Sequence, residues 1–325
     1  MLNVIKIFLL FFLVLIEIQQ TSNAGTNNHG PYQKLYVFGD SLSDNGNDFI
    51  LTSRLGYVPA IPPSVTPYAT YYQGRFSNGP VAVEYLWSVL NLGNAAQLKP
   101  SLGVTNIHEE IAVNFAYGGA DSGNVQNNTP GGFSVPGVEL QVNNFIRAYG
   151  NPVPTNALYV IWTGANDYLD EGTPSDTAII NNIRQSIQTL YSAGARNFLV
   201  PNLPDLGSLP SISDPNLGYP PGTSTALTSL TLQHNADLSS ALQSIRSQSP
   251  GIKLIYVDIF TLVKQLGKYL KTGMGPGGDC LYTNPDLCTN VSYIAPNYMY
   301  WDVEHPTTDV HHLIAHEMLK NIFLQ

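Results

Sequence analysis

Five short apolar runs set between helical patterns constrain this chain more than any other feature. They are Leu35–Phe38, Val113–Phe115, Ala157–Trp162, Asn197–Val200 and Lys253–Val257. "ALYVIW" at 157–162 has no polar alternation, which suits a strand buried on both faces rather than one washed by solvent. Helical candidates lie between and around the runs: Pro80–Leu90, Val138–Tyr149, Ile179–Ser192 and Ser224–Arg246. In the third, Ile180, Ile183, Ile187, Leu190 and Tyr191 recur at helical spacing and mark one buried face. Strands alternating with helices predict an α/β fold with a mostly parallel, five-stranded sheet covered on both sides. In such sheets ligands and reactive groups collect beyond the carboxyl ends of the strands.

The first 24 residues read as an export signal rather than as fold. Lys6 gives a basic start, Ile7–Ile16 is an uninterrupted apolar run, and Ser22-Asn23-Ala24 ends in small residues. Glu17 interrupts the run well short of the roughly 20 apolar residues that span a membrane. The expectation is a signal peptide at 1–24 and a secreted or periplasmic single domain at 25–325. The net charge of −9 disfavours nucleic acid as a partner, since no counterions would be released on binding. Cys280 and Cys288 flank "LYTNPDL", and in an exported chain they predict a disulfide worth about 2–3 kcal/mol. Two thiols with no neighbouring histidine pair do not make a metal site.

The run "KLYVFGDSLSDNGND" ends its strand abruptly, with Ser41 just past the carboxyl end. A serine hydroxyl becomes a nucleophile only when a base takes its proton and a third group orients the base. "YWDVEHPTT" offers both: Asp302 lies three residues before His305, close enough in a turn to reach its Nδ1. Donors for a developing oxyanion are available from the Ser41 N–H, from Gly118 or Gly119 in "NFAYGGADSG", and from the Asn166 side chain in "WTGANDYL". Taken singly, a glycine pair is a turn and Asn-Asp a helix cap. The order and placement of the four blocks give them weight together.

These blocks, "FGDSLSDNGN", "VNFAYGGA", "GAND" and "DVEHP", closely resemble the GDSL, or SGNH, family of esterases and lipases. The resemblance spans residues 38–306 and implies a flavodoxin-like three-layer α/β/α fold. It implies Ser41 as nucleophile, His305 as general base and Asp302 as the group that orients it. The oxyanion hole would be Ser41, Gly119 and Asn166, with Gly118 left open as an alternative to Gly119. Chemistry of this kind calls for no cofactor.

"YYQGRFSNGPVAVEYL" is similar to a segment of bacterial lysophospholipases and glycerophospholipid–cholesterol acyltransferases, and plant esterases share its core. Tyr71, Tyr72 and Phe76, with Tyr57 and Tyr68, either line an acyl groove or pack the loop onto the domain. Arg75 suits structural pairing better than phosphate binding. The expected substrate is therefore a lipid carboxylic ester, foremost a lysophospholipid, with a sterol as an alternative acyl acceptor and only transient contact with a membrane surface. A glycan O-acetyl ester is the alternative substrate, and a non-catalytic secreted binding module is the alternative of another class. His311, His312 and His316 are expected on the solvated face of a closing helix, Pro306–Phe323. His234 is expected to be packed.

Overall fold

The computed structural model describes residues 31–68, 70–90, 98–169, 175–214, 219–276, 295 and 297–324. The segment expected to direct export, 1–24, and the two cysteines expected to pair, Cys280 and Cys288, lie outside the described residues. In chain order the strands are β1 (Lys34–Gly39), β2 (Lys99–Pro100), β3 (Ala112–Asn114), β4 (Gln126–Asn128), β5 (Ser134–Pro136), β6 (Ala157–Trp162), β7 (Asn197–Pro201) and β8 (Lys253–Val257). The helices are α1 (Asn47–Arg54), α2 (Ala82–Leu90), α3 (Val138–Tyr149), α4 (Ala165–Leu169), α5 (Asp176–Ser192), α6 (Pro210–Ser213), α7 (Thr223–Gln248), α8 (Ile259–Leu266) and α9 (Thr308–Phe323). From Tyr32 onward the chain forms one compact unit.

Among the described residues six strands make the main sheet, in the order β2-β3-β1-β6-β7-β8, and each of their pairings is parallel. The five expected strands are all present; the sixth, β2, is the correction. It is a two-residue Lys-Pro edge strand with no apolar run to betray it, and the missing N–H of Pro100 is tolerated because it lies at the edge. Strand order reverses between β1 and β6, which pair in register from Lys34↔Ala157 to Gly39↔Trp162. That reversal is the switch point at which open α/β sheets bind ligands.

All six residues of β6 are buried, so both faces of the sheet are covered. Helices α3, α5 and α7 pack in sequence on one another, and α2, α9 and α8 form a second such group. Between β1, β6 and α3 lies an aromatic cluster in which Tyr36 meets Phe145 at 4.6 Å and Phe38 meets Phe115 at 5.5 Å. Such pairs add about 0.5–1.5 kcal/mol each beyond the area they bury.

Helix α9 corrects one expectation. Val310, Ile314, Met318 and Ile322 form the buried stripe as expected, but His311 is fully buried as well. The reason is α2, which packs along that side and donates the Ala82 N–H to His311 Nδ1 at 3.3 Å. Burial then pushes the His311 pKa down to about 3, so it is a neutral packing residue. His312 and His316 are half-buried, with rings 4.9 Å apart. His234 is fully buried and meets the Tyr168 hydroxyl at 3.1 Å.

Candidate active site

The end of β1 is held from two sides. Gln141 of α3 accepts the Gly39 N–H at 3.0 Å and donates to the Gly39 carbonyl at 2.9 Å, acting as a substitute strand. Gly39 is glycine because a Cβ there would lie 2.6 Å from the Trp162 carbonyl oxygen. Beyond it, the Asp40 carbonyl accepts N–H groups from Ser43 and Asp44, each at 3.0 Å, and its carboxylate accepts that of Leu42 at 3.0 Å. This tight turn fixes Ser41 at the switch point.

The polar string that follows is a buried clamp. Asp44 accepts the N–H groups of Gly46, Asn47 and Asp48 at 2.7–3.0 Å, satisfying the open donors at the start of α1. Asn47 donates to the carbonyls of Asn114 and Ala116, both at 2.9 Å, and Asn114 donates to the Ser43 carbonyl at 2.6 Å. The nucleophile turn and the glycine segment are thereby tied together. Gly119 follows with φ 74° in the left-handed region, where a side chain would be strained.

The closing turn carries the base. Asp302 Oδ1 accepts the N–H groups of Glu304 at 2.8 Å and His305 at 2.6 Å, which makes the turn. Its Oδ2 lies 2.8 Å from His305 Nδ1, and His305 Nε2 lies 2.9 Å from Ser41 Oγ. With a carboxylate facing Nδ1, that nitrogen carries the proton and Nε2 is the acceptor. All three residues are buried. Burial on its own would lower the His305 pKa, but the Asp302 carboxylate outweighs it and holds it above its ordinary value. Burial on its own would raise Asp302, but the His305 charge and the hydrogen bonds bring it below the usual carboxylate range. Asp40, next to the serine, is pushed up to about 7, chiefly by burial.

Two cavities meet at Ser41, and Asn166, His305 and Glu304 border both. The wider, about 410 Å³, is walled by Gly118, Gly119, Phe76, Ile61, Tyr219 and the tip of a hairpin. That hairpin, β4–β5, was not legible in the sequence; its tip contributes Thr129, Pro130, Gly131 and Phe133. The narrower, about 50 Å³, runs into apolar packing formed by Leu206, Leu209, Val263, Val310 and Ile314. One Asn166 amide N–H donates to the Ala120 carbonyl at 3.0 Å, which fixes the side chain at the junction of the cavities.

The expected triad residues are therefore brought together, and Gly119 and Asn166 border the same cavity as Ser41. The aromatic residues divide. Phe76 lines the wide cavity, its ring 5.1 Å from that of His305. Tyr72 is half-buried under Arg75 and lines neither cavity. Tyr71 corrects the groove expectation: it is fully buried, and its hydroxyl donates to Asp302 Oδ2 at 2.8 Å. Arg75 pairs with Glu84 through Nε at 3.2 Å and Nη2 at 2.6 Å, so its charge is met within the chain. Gln141 was missed, although it is the one polar residue on an otherwise apolar helix face with Val138, Val142 and Phe145.

An open parallel sheet with a serine, histidine and aspartate linked at its switch point defines a class, the α/β/α esterases and lipases. A family model described as GDSL-like Lipase/Acylhydrolase matches residues 35–318, and the chain belongs to that family. A GDSL esterase/lipase of Arabidopsis thaliana is 25% identical over 90% of this chain and 92% of its own. A phosphatidylcholine-sterol acyltransferase of Aeromonas hydrophila is 30% identical over 62% of this chain and 53% of its own. A solved structure of a lipolytic G-D-S-L family protein from Veillonella parvula is 13% identical, covering 88% of this chain and 96% of that one with a TM-score of 0.44.

Proposed function

We propose that this protein hydrolyses carboxylic esters of lipids, foremost lysophospholipids, through an acyl intermediate on Ser41. The observation that carries the reading is the unbroken link from Ser41 Oγ through His305 to Asp302, at 2.9 and 2.8 Å, where the two cavities meet. Ser41 Oγ attacks the ester carbonyl as its proton passes to His305 Nε2, and Asp302 stabilises the imidazolium. The Ser41 and Gly119 N–H groups and the Asn166 amide receive the oxyanion. His305 then protonates the departing alcohol, and a water repeats the sequence to release the acid and restore Ser41. An alcohol in place of that water gives acyl transfer, and the similarity to a phosphatidylcholine-sterol acyltransferase supports a sterol as such an acceptor.

The wide cavity, with Ile61, Phe76, Phe133 and Tyr219 along its walls, suits a hydrocarbon chain. No helix among the described residues is long and apolar enough to cross a membrane. Export rests on the character of residues 1–24.

The narrow cavity favours a second reading. With a volume of about 50 Å³ against about 410 Å³ for the wide cavity, it suits an acyl group as small as acetyl. An acetyl esterase acting on acylated glycans would use it in this way. The two readings separate when the protein is incubated with phospholipid, lysophospholipid and acetylated glycan, with and without cholesterol. Fatty acid or steryl ester supports the lipid reading, and acetate alone overturns it.

A further inference from the structure

The segment from Tyr71 to Asn78 lies across the turn that carries Asp302 and His305. Ser77 Oγ donates to the Pro306 carbonyl at 2.9 Å, and Asn78 Oδ1 accepts the Thr308 N–H at 2.8 Å. The fit is close enough that a Cβ on Gly79 would lie 2.5 Å from Thr308 Oγ1. At the head of this strap the Tyr71 N–H is anchored on the Pro63 carbonyl at 2.8 Å, and its ring packs in a small buried cluster with Trp301. Its hydroxyl donates to the same Asp302 oxygen that faces His305 Nδ1.

We propose that Tyr71 is a positioning residue of this esterase, acting on Ser41 only through Asp302 and His305; the proposal rests on the serine-esterase reading above. With Tyr71 in place Asp302 has four donors: two backbone N–H groups on Oδ1, and the phenol and the imidazole on Oδ2. A carboxylate offers about four lone-pair sites, so this one is filled and has no alternative orientation. The phenol also draws charge from Oδ2 and so moderates the pull of Asp302 on the imidazole. Without the hydroxyl, a buried lone pair goes unmet and more negative charge bears on His305. The base then holds its proton to higher pH and is less firmly aimed. Other ionisable groups around His305 are Glu304 and Asp40, with His311 beyond them, and the strap touches His305 through the uncharged Phe76.

The test is the full-length Tyr71→Phe protein assayed with p-nitrophenyl butyrate across pH. Turnover should fall about tenfold with KM within about twofold, the size of one lost charge-assisted hydrogen bond. The acid limb should move upward by about half a pH unit. Replacement of Tyr71 by fluorotyrosine, a stronger donor that keeps the packing, should move the limb the other way. Ser77→Ala, which loosens the strap but leaves the hydroxyl, should leave the limb in place. An unmoved limb in Tyr71→Phe, with or without slower turnover, or an equal shift in Ser77→Ala, overturns the proposal. Ser41→Ala is run alongside: if it stays active, the serine reading itself fails; if it is dead while Tyr71→Phe matches wild type, only the role of Tyr71 fails.

Discussion

Asp302 holds His305 twice, by its backbone N–H at 2.6 Å through Oδ1 and by its ring Nδ1 at 2.8 Å through Oδ2. One carboxylate thus shapes the turn and aims the base. A three-residue spacing is what allows both, since the side chain reaches back over its own turn. Orientation and electrostatics are therefore inseparable at this position.

Asp302→Asn tests that union. The amide keeps the size of the side chain but cannot serve as a full acceptor for both Nδ1–H and the turn. It offers the imidazole the wrong proton pattern, and kcat should fall by about three to four orders of magnitude. Steady-state kinetics on the folded variant check this; a loss below tenfold would contradict the assigned role.

The pH profile follows from the same pair. His305 accepts the Ser41 proton only when neutral, and Asp302 holds its pKa above the ordinary 6.5. Activity should fall as pH drops through a midpoint above that value. A profile of kcat/KM against pH with its acid midpoint below 6.5 would contradict the electrostatic assignment.

Asn166→Ala should cost about 10²–10³ in kcat with the fold retained, since it removes one oxyanion donor. Circular dichroism separates this from unfolding, because loss of the Asn166 bond to the Ala120 carbonyl is a local change.

Asp48, buried beside the wide cavity, bears on stability. Burial first, then the neighbouring Asp44, push its pKa well above 3.8, offset in part by the Gly118 N–H. A carboxyl raised in the fold contributes stability below its ordinary value, and that contribution is lost as pH rises toward the folded value. Asp48→Asn cannot ionise, so its melting temperature should exceed that of wild type near neutral pH. The difference should shrink toward about pH 4. A gain that is unchanged at low pH would point to packing instead.

Much of this was legible in the sequence, for reasons that can be named. Strand β6 was readable to the residue because an unbroken apolar run bounded by Asn156 and Thr163 leaves little choice of boundary. The Asp302–His305 pair was readable because both partners lie in one turn. What escaped depends on neighbours distant in sequence. β2 exists only because β3 offers an edge, and His311 is buried only because α2 covers that side of α9. Tyr71 could be read only as an acyl contact or as loop packing, because nothing local reveals that Asp302, more than 200 positions later, lies against its hydroxyl. Gln141 was the one miss with a local signal, a lone amide on an apolar face.

The most direct measurement for the whole account is the rate of ester hydrolysis by Ser41→Ala under conditions where wild type turns over. Oγ is the only atom the substitution removes, and the surrounding turn is held by backbone bonds to Asp40 that alanine preserves. The expected result is a fully folded protein with hydrolysis reduced to the background left by the oxyanion hole. Wild-type rates from that folded variant would contradict it.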